Sequence, residues 1–452
     1  MSGRFHLVTL GCPKNAVDSD KIAAALGADG LIPTDDVRGA DVVVVNTCAF
    51  IEDARRESVD TILALADLKA DGARLVVTGC MAERYGEELA DALPEADAVI
   101  GFDGAGTIAD AITPVTLSGR RGVAADAPVG VRDLLELPRA APSAPWAYLK
   151  VAEGCDRACA FCAIPSFRGK QRSRTPESIL TEARALVEGG ARELVLVAQD
   201  LAWYGRDAGE VGALAPLLRR LDTELGGDGL ARVRLLYLYP SEVKDPLVST
   251  MLELDTVVPY FDLSLQHAAR GLLARMARWG SGDRFLDAIE GIRTQAPEAT
   301  FRSSFIVGFP GETESDHDEL LAFLDAAALD WAGFFPYSPE EGTAAVDLDG
   351  EVPGALMAER MRECEERQTA ITQAARDALC AEGAALSVLV DGVVDGQAVG
   401  RTHREAPEID GVVIVEVADG EATPAPGTIV EAVATEALGP DLYARVVAGV
   451  AR

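Results

Sequence analysis

Six of the eight cysteines in this 452-residue chain stand where they could bind iron. Three fall in one short run, Gly154-Cys155-Asp156-Arg157-Ala158-Cys159-Ala160-Phe161-Cys162, with the spacing Cys-x3-Cys-x2-Cys. Structural zinc favours four ligands in paired Cys-x2-Cys or Cys/His knuckles, and this run is neither. Three thiolates on one loop can hold three corners of a 4Fe-4S cube. The fourth iron then has no protein ligand. An open iron beside a reducing cluster can bind and reduce a small molecule. The plainer alternative is a loop of buried or zinc-binding cysteines.

The elements around the cysteines set their placement. Residues 1–115 read as an α/β unit, with apolar strands at 5–10, 42–45 and 75–78 alternating with helices at 51–66 and 82–92. Short buried runs between helices predict a parallel sheet. Each strand ends in a cysteine: Cys12, Cys48 or Cys80. The carboxyl ends of parallel strands form the ligand-binding edge of such sheets. Three residues distant in sequence are therefore expected together, as a second three-cysteine cluster site. Small buried residues are the alternative, because free cysteine is often buried.

Prolines and glycines mark residues 116–145 as a linker. Residues 146–381 carry six strand patterns, at 148–152, 193–198, 234–239, 261–265, 301–307 and 331–336, with helices between them and an exit helix at 356–381. Six βα repeats predict a partial (β/α)6 barrel. The cysteine loop would follow its first strand, at the edge where barrel enzymes place their chemistry. Residues 382–452 switch to short β runs separated by Asp-Gly turns, which predicts a small antiparallel barrel. The fold class is α/β multidomain.

Charge narrows the partners. Asp and Glu number 73 against 41 Lys and Arg, a net charge of −32. Such a chain is a poor candidate for neutralising nucleic-acid phosphates. It suits a basic partner, or simply solubility. Residues 383–452 hold five Asp and six Glu against four Arg and no Lys, a net of −7, so that module is expected to help hold a basic protein. No apolar run approaches the roughly 20 residues of a membrane span. The start of the chain runs into a strand without a signal-peptide pattern. Eight cysteines in that setting argue for metal ligation in the reducing cytoplasm rather than disulfides.

Taken together, the cysteine run with Phe161 before its last member resembles the signature of the radical S-adenosylmethionine (SAM) superfamily. The three-part chain resembles the radical-SAM methylthiotransferases over nearly its whole length. The runs Leu10-Gly11-Cys12-Pro13-Lys14-Asn15, Cys159 to Gly169, Gly308-Phe309-Pro310-Gly311-Glu312-Thr313 and Ala406-Pro407-Glu408-Ile409-Asp410-Gly411 are similar to the branch that modifies a ribosomal protein. That resemblance implies an OB-like TRAM module at the C-terminus. It implies two 4Fe-4S clusters, one on Cys155, Cys159 and Cys162 and one on Cys12, Cys48 and Cys80. The first would pass an electron to SAM, releasing a 5′-deoxyadenosyl radical that takes a substrate hydrogen. The second would present sulfur, methylated by another SAM. The product this resemblance implies would be a methylthio group on the aspartate β-carbon (C3) of small-subunit ribosomal protein twelve. An unactivated C–H bond has no acidic proton, so radical chemistry is what the reaction needs. An external electron donor and a sulfur source are implied as well; no membrane and no direct nucleic-acid substrate are expected.

Weaker signals surround these. Phe161, Gln199, Asp200 and Gly308 are candidates to contact SAM, with a strand-end turn and helix cap the alternative at 199–200 and a plain tight turn at 308. Arg168, Lys170, Arg172 and Arg174 form a basic run beside the cluster loop, read mainly as a solvated face. Cys364 and Cys380 are read as structural, and the four histidines lack ligand spacing. Two other functions share these features. A methylthiotransferase acting on transfer-RNA adenosine would use the same six cysteines but a basic RNA-reading barrel. An iron–sulfur carrier or scaffold would not need six βα units.

Overall fold

A computed structural model describes residues 3–105, 108, 133–417 and 422–451. Its first sheet is fully parallel, in the order β2-β1-β3-β4-β5, from β1 (Arg4–Thr9), β2 (Ile32–Pro33), β3 (Val42–Thr47), β4 (Arg74–Gly79) and β5 (Ala98–Ile100). β3, Val-Val-Val-Val-Asn-Thr, is buried along its whole length, as a central strand covered on both faces must be. Helices α1 (Pro13–Ala28), α2 (Glu52–Leu68) and α3 (Cys80–Ala92) connect the strands. Pro13 opens α1, where its missing N–H costs nothing.

The linker prediction for 116–132 falls outside the described residues. Residues 133–145 are anchored rather than free: Leu134 and Leu135 are buried, and Lys21 of α1 donates to the Leu135 carbonyl at 2.6 Å.

The partial barrel is built from β6 (Trp146–Lys150), β9 (Glu193–Val197), β10 (Arg232–Leu235), β11 (Tyr260–Gln266), β12 (Thr300–Val307) and β13 (Trp331–Pro336). A small antiparallel pair, β7 (Ala152–Glu153) and β8 (Arg172–Ser173), brackets the cysteine loop. Two parallel three-stranded sheets, β6-β9-β10 and β11-β12-β13, meet through the bridges Val233–Val257 and Leu238–Leu263. The expected strand at 234–239 starts earlier and stops at Leu235. Tyr237 takes a left-handed φ of 64°, and its amide bonds the Asp262 carboxylate of β11 at 2.9 Å instead of a strand carbonyl. The exit helix, Gly354–Glu382, ends at Gly383 in the left-handed conformation that C-caps favour.

The last unit is a closed barrel, β14-β15-β16-β18-β17, made from β14 (Ala385–Val394), β15 (Gln397–Arg401), β16 (Val413–Glu416), β17 (Ile429–Leu438) and β18 (Asp441–Ala451). The expected turn at Asp419-Gly420 lies outside the described residues. Its loop between β15 and β16 seats against the amino ends of the large barrel's strands. Tyr260 donates to Asp410 at 2.6 Å, Trp331 Nε1 to the Arg404 carbonyl at 2.7 Å, and Arg232 to the Arg401 carbonyl at 2.7 Å. Glu193, fully buried, takes Arg234 at 2.7 Å on one oxygen and Arg401 at 2.8 Å on the other.

Burial alone would raise the Glu193 carboxyl, but Arg234, Arg401 and Arg232 outweigh it and hold it at about 2. Its stabilisation is therefore complete above the ordinary value of 4.5 and is lost as pH falls through about 2. Glu193→Gln leaves buried guanidinium groups without their carboxylate and is expected to cost about 3–5 kcal/mol. Urea unfolding followed through Trp146 and Trp331 would show an earlier transition, with a shallower acid dependence than the parent chain.

Candidate functional site

Each N-terminal cysteine sits where a strand hands over to a helix. Cys12 is the N-cap of α1, Cys48 directly follows β3, and Cys80 is the first residue of α3. The loops press together. A Cβ on Gly11, whose φ is +94°, would stand 2.8 Å from Cys48 Cβ, and one on Gly79, at +91°, would stand 2.2 Å from Asn46 Oδ1. Only glycine fits at both. Asn15 ties the three loops together. Its Nδ2 donates to the carbonyls of Leu10 at 2.9 Å and Thr47 at 3.0 Å, and its Oδ1 lies 3.5 Å from Cys80 Sγ.

The three thiols feel one another's charge. Burial pushes Cys48 up to about 12 and raises Cys80. Burial would raise Cys12 too, but Lys14 and Arg168 outweigh it and bring that thiol below its ordinary value.

The second set lies on the loop after β7. Gly154, at φ +81°, lets the chain pass where a Cβ would stand 2.2 Å from the Lys170 carbonyl oxygen. Cys155 N bonds the Gly169 carbonyl at 3.1 Å, and Cys162 N bonds that of Cys159 at the same distance. Two donors already point at sulfur: the Arg157 amide at 3.4 Å from Cys155 Sγ, and Arg278 Nη1 at 3.4 Å from Cys159 Sγ. Burial raises Cys155 to about 11 and Cys162 to about 12. Among the described residues, no three His, Cys, Asp or Glu side chains are grouped to hold a single metal ion. Three ligands that each take a different iron of a cube stand further apart than three ligands of one ion.

The other expected site residues are in mixed situations. Phe161 packs, half-buried, against the barrel core. Gln199 Nε2 donates to Glu153 at 2.6 Å, and its Oε1 has no partner. Asp200 accepts from Arg157 at 2.7 Å on one oxygen, while its other, buried oxygen is unpartnered. Gly308, at φ +81°, passes so close to Met357 that a Cβ would stand 2.4 Å from its sulfur. Gln171 is buried with both amide atoms unpartnered. No sequence signal marked it beyond its place beside the loop. Arg157, held 4.0 Å from the Trp203 ring and 3.8 Å from the Tyr239 ring, was equally invisible.

The basic run is a solvated face only at Lys170 and Arg172, which are exposed. Arg168 and Arg174 are buried, Arg174 pairing with Glu182 at 2.7 Å, while Arg172 is exposed and pairs with Asp133 at 2.6 Å. Arg168 crosses from the barrel into the N-terminal unit and donates to Cys80 Sγ at 3.0 Å and Asn15 Oδ1 at 2.6 Å. Lys150 of β6 pairs with Asp18 of α1, and Lys14 Nζ sits 3.3 Å from the centre of the Tyr237 ring at the carboxyl end of β10. On another side, Arg55 and Arg84 both reach Glu340, which follows β13. Both cysteine sets therefore face the carboxyl edge of the large barrel. The small barrel is seated at the opposite, amino edge, so the expectation that it helps hold substrate gains no support from its placement.

An α/β unit, a six-stranded partial barrel with a three-cysteine loop and a small closed barrel define a class of radical-SAM enzyme. Residues 4–101 match the model of the uncharacterized protein family UPF0004, residues 149–324 that of the radical SAM superfamily, and residues 383–447 the TRAM domain. The chain is 44% identical to the ribosomal protein uS12 methylthiotransferase RimO of Salinispora tropica, over 98% of this chain and 95% of that one. It is 46% identical to RimO of Moorella thermoacetica, over 93% and 94%. The chain belongs to the RimO methylthiotransferase family. Its fold is also similar to that of the radical SAM methyltransferase TsrM from Kitasatospora setae, with a TM-score of 0.53, 14% identity, and 76% of this chain and 74% of that one covered.

Asn15→Ala would free the Leu10 and Thr47 carbonyls and remove an acceptor of Arg168. A cost of about 1–3 kcal/mol is expected. Amide hydrogen exchange at residues 10–13 and 47–49 should rise well before global unfolding, and unchanged exchange would show that Asn15 does not hold the loops.

Proposed function

We propose that Cys155, Cys159 and Cys162 hold one 4Fe-4S cluster, to which SAM binds, and that Cys12, Cys48 and Cys80 hold a second. The substrate of the reading is the family's: the β-carbon of an aspartate in ribosomal protein uS12. The observation that carries it is the joining of the two cysteine sets at one barrel edge, where Arg168 spans from the barrel loop to Cys80 Sγ at 3.0 Å. Bound there, the clusters and SAM supply hydrogen abstraction and a sulfur for the resulting carbon. A carbon radical left waiting is quenched, so closeness of the two sets supplies the effective concentration the transfer needs.

The residues fit these groups. Thiols are the ligands that iron–sulfur clusters take, and the raised values of Cys48, Cys80, Cys155 and Cys162 mean that binding iron there releases protons. The unpartnered atoms of Gln171, Gln199 and Asp200 beside the loop are what a polar ligand such as SAM would satisfy. Gly308 and Phe161 are placed in the same reading as close backbone and apolar contacts to it. Arg157 and Arg278 bring positive charge and hydrogen bonds to the first cluster's sulfurs. A basic ribosomal protein is also steered towards a chain of net charge −32. An external electron donor and a sulfur source complete the reaction.

Two experiments test the reading. Replacing Cys155, Cys159 and Cys162 by alanine should halve the iron bound after anaerobic reconstitution and abolish 5′-deoxyadenosine formation. Replacing Cys12, Cys48 and Cys80 should also halve the iron, yet leave SAM cleavage measurable. With SAM, reductant and sulfide, the intact chain should add a methylthio group to an aspartate of uS12, read by mass spectrometry. Modified transfer RNA with unmodified uS12 would overturn the substrate assignment.

A further inference from the structure

We propose that Arg168 is a positioning residue for Cys80, one that fixes the cysteine's sulfur and raises the reduction potential of the N-terminal cluster. The proposal rests on the reading that Cys12, Cys48 and Cys80 ligate a cluster. Arg168 ends the short helix Ile164–Arg168, six residues beyond Cys162. It therefore belongs to the segment that carries the other cysteine set. Its guanidinium is buried and held on all sides. Nη1 bonds both oxygens of Glu153 at 2.9 Å and Asp18 Oδ2 at 3.1 Å. Nη2 bonds Asn15 Oδ1 at 2.6 Å and Cys80 Sγ at 3.0 Å. The Phe102 ring lies 4.4 Å away. With two carboxylates and an amide holding the fork, the N–H aimed at sulfur cannot swing away. An ammonium could not hold the two carboxylates met by Nη1 and also the amide and sulfur met by Nη2.

A hydrogen bond and a positive charge at a ligating sulfur favour the cluster state with more electrons. Removing Arg168 withdraws both, and leaves Asp18 and Glu153 facing Lys150 alone, which makes the surroundings more negative. Both changes lower the potential. A residue that merely docked two units together would not shift it selectively.

The test uses the full chain with Cys155, Cys159 and Cys162 replaced by alanine, so that only the N-terminal cluster can form. Its midpoint potential is measured by titration followed by electron paramagnetic resonance. Arg168→Gln is expected to lower the midpoint by about 59 mV, a tenfold change in a one-electron equilibrium. Arg168→Lys, which keeps a cation, is expected to fall between parent and Arg168→Gln. This variant decides the matter if Arg168→Gln does not fold by circular dichroism. Glu340→Gln loosens the contact between the same two units through Arg55 and Arg84, without removing a bond to any cysteine, and should leave the midpoint unchanged. A cluster that forms with an unshifted midpoint in the Arg168 variants would overturn the proposal, as would an equal shift in Glu340→Gln. Absence of iron from the parent of this series would instead overturn the N-terminal cluster itself.

Discussion

A buried network of alternating charge between α1 and the first strand of the large barrel holds the two halves of the site in register. Asp18, Lys150, Glu153 and Arg168 are almost wholly removed from water, and each touches at least one partner of opposite sign. Desolvating such groups costs several kcal/mol each, and the cost is recovered only when geometry is good and every charge is paired. The network therefore tolerates one arrangement of the N-terminal unit on the barrel. Because Arg168 and Glu153 flank the cysteine loop and Asp18 follows Cys12 on α1, that arrangement also sets the relation of the two cysteine sets.

Backbone strain gathers at the same edge. Tyr237 after β10 and Gln266 at the end of β11 take left-handed conformations, and Gly308 does so after β12. For residues with a Cβ this costs of order 1–3 kcal/mol each, and it persists where surrounding structure dictates it. At Tyr237 the cause is visible: Asp262 captures its amide at 2.9 Å, and Lys14 from the N-terminal unit lies against its ring. The amino edge shows the opposite character. There the Glu193 network and the β15–β16 loop close the barrel floor with satisfied, fully buried groups. Paired buried charge closes the floor, and the unpartnered atoms of Gln199 and Asp200 lie at the other end of the strands.

This division explains what was legible in the chain. The cysteine run was readable because its spacing is local, with three thiols on eight residues of one loop. The strand–cysteine–helix repeats were readable because a parallel sheet brings every carboxyl end to one edge, whatever the loops between do. In the basic run at 168–174, Lys170 and Arg172 are exposed as expected, but Arg168 and Arg174 are buried, because charge periodicity cannot reveal a carboxylate supplied by a distant element. Glu182 waits for Arg174, and Asp18 for Arg168. The stretch 133–145 read as linker from its prolines, yet Leu134, Leu135 and Arg139 tie it to α1 and β6. The Ala406–Gly411 run was tied to the substrate in sequence, but its Asp410 closes the barrel floor through Tyr260 and Arg302.

By itself, the sequence determined the six cysteines proposed as iron ligands, the three-part α/β, barrel and small-barrel order, and the acidic character that suits a basic partner. Those properties follow from residue type, short spacing and strand–helix periodicity, all of which are local. Only the tertiary structure decided that both cysteine sets share one barrel edge, that Arg168 reaches Cys80, and that the C-terminal barrel sits at the other end. Each of these depends on pairing charges far apart in the chain, 208 residues for Glu193 with Arg401 and 285 for Arg55 with Glu340. Whether such charges meet is settled by the cost of burying them unpaired.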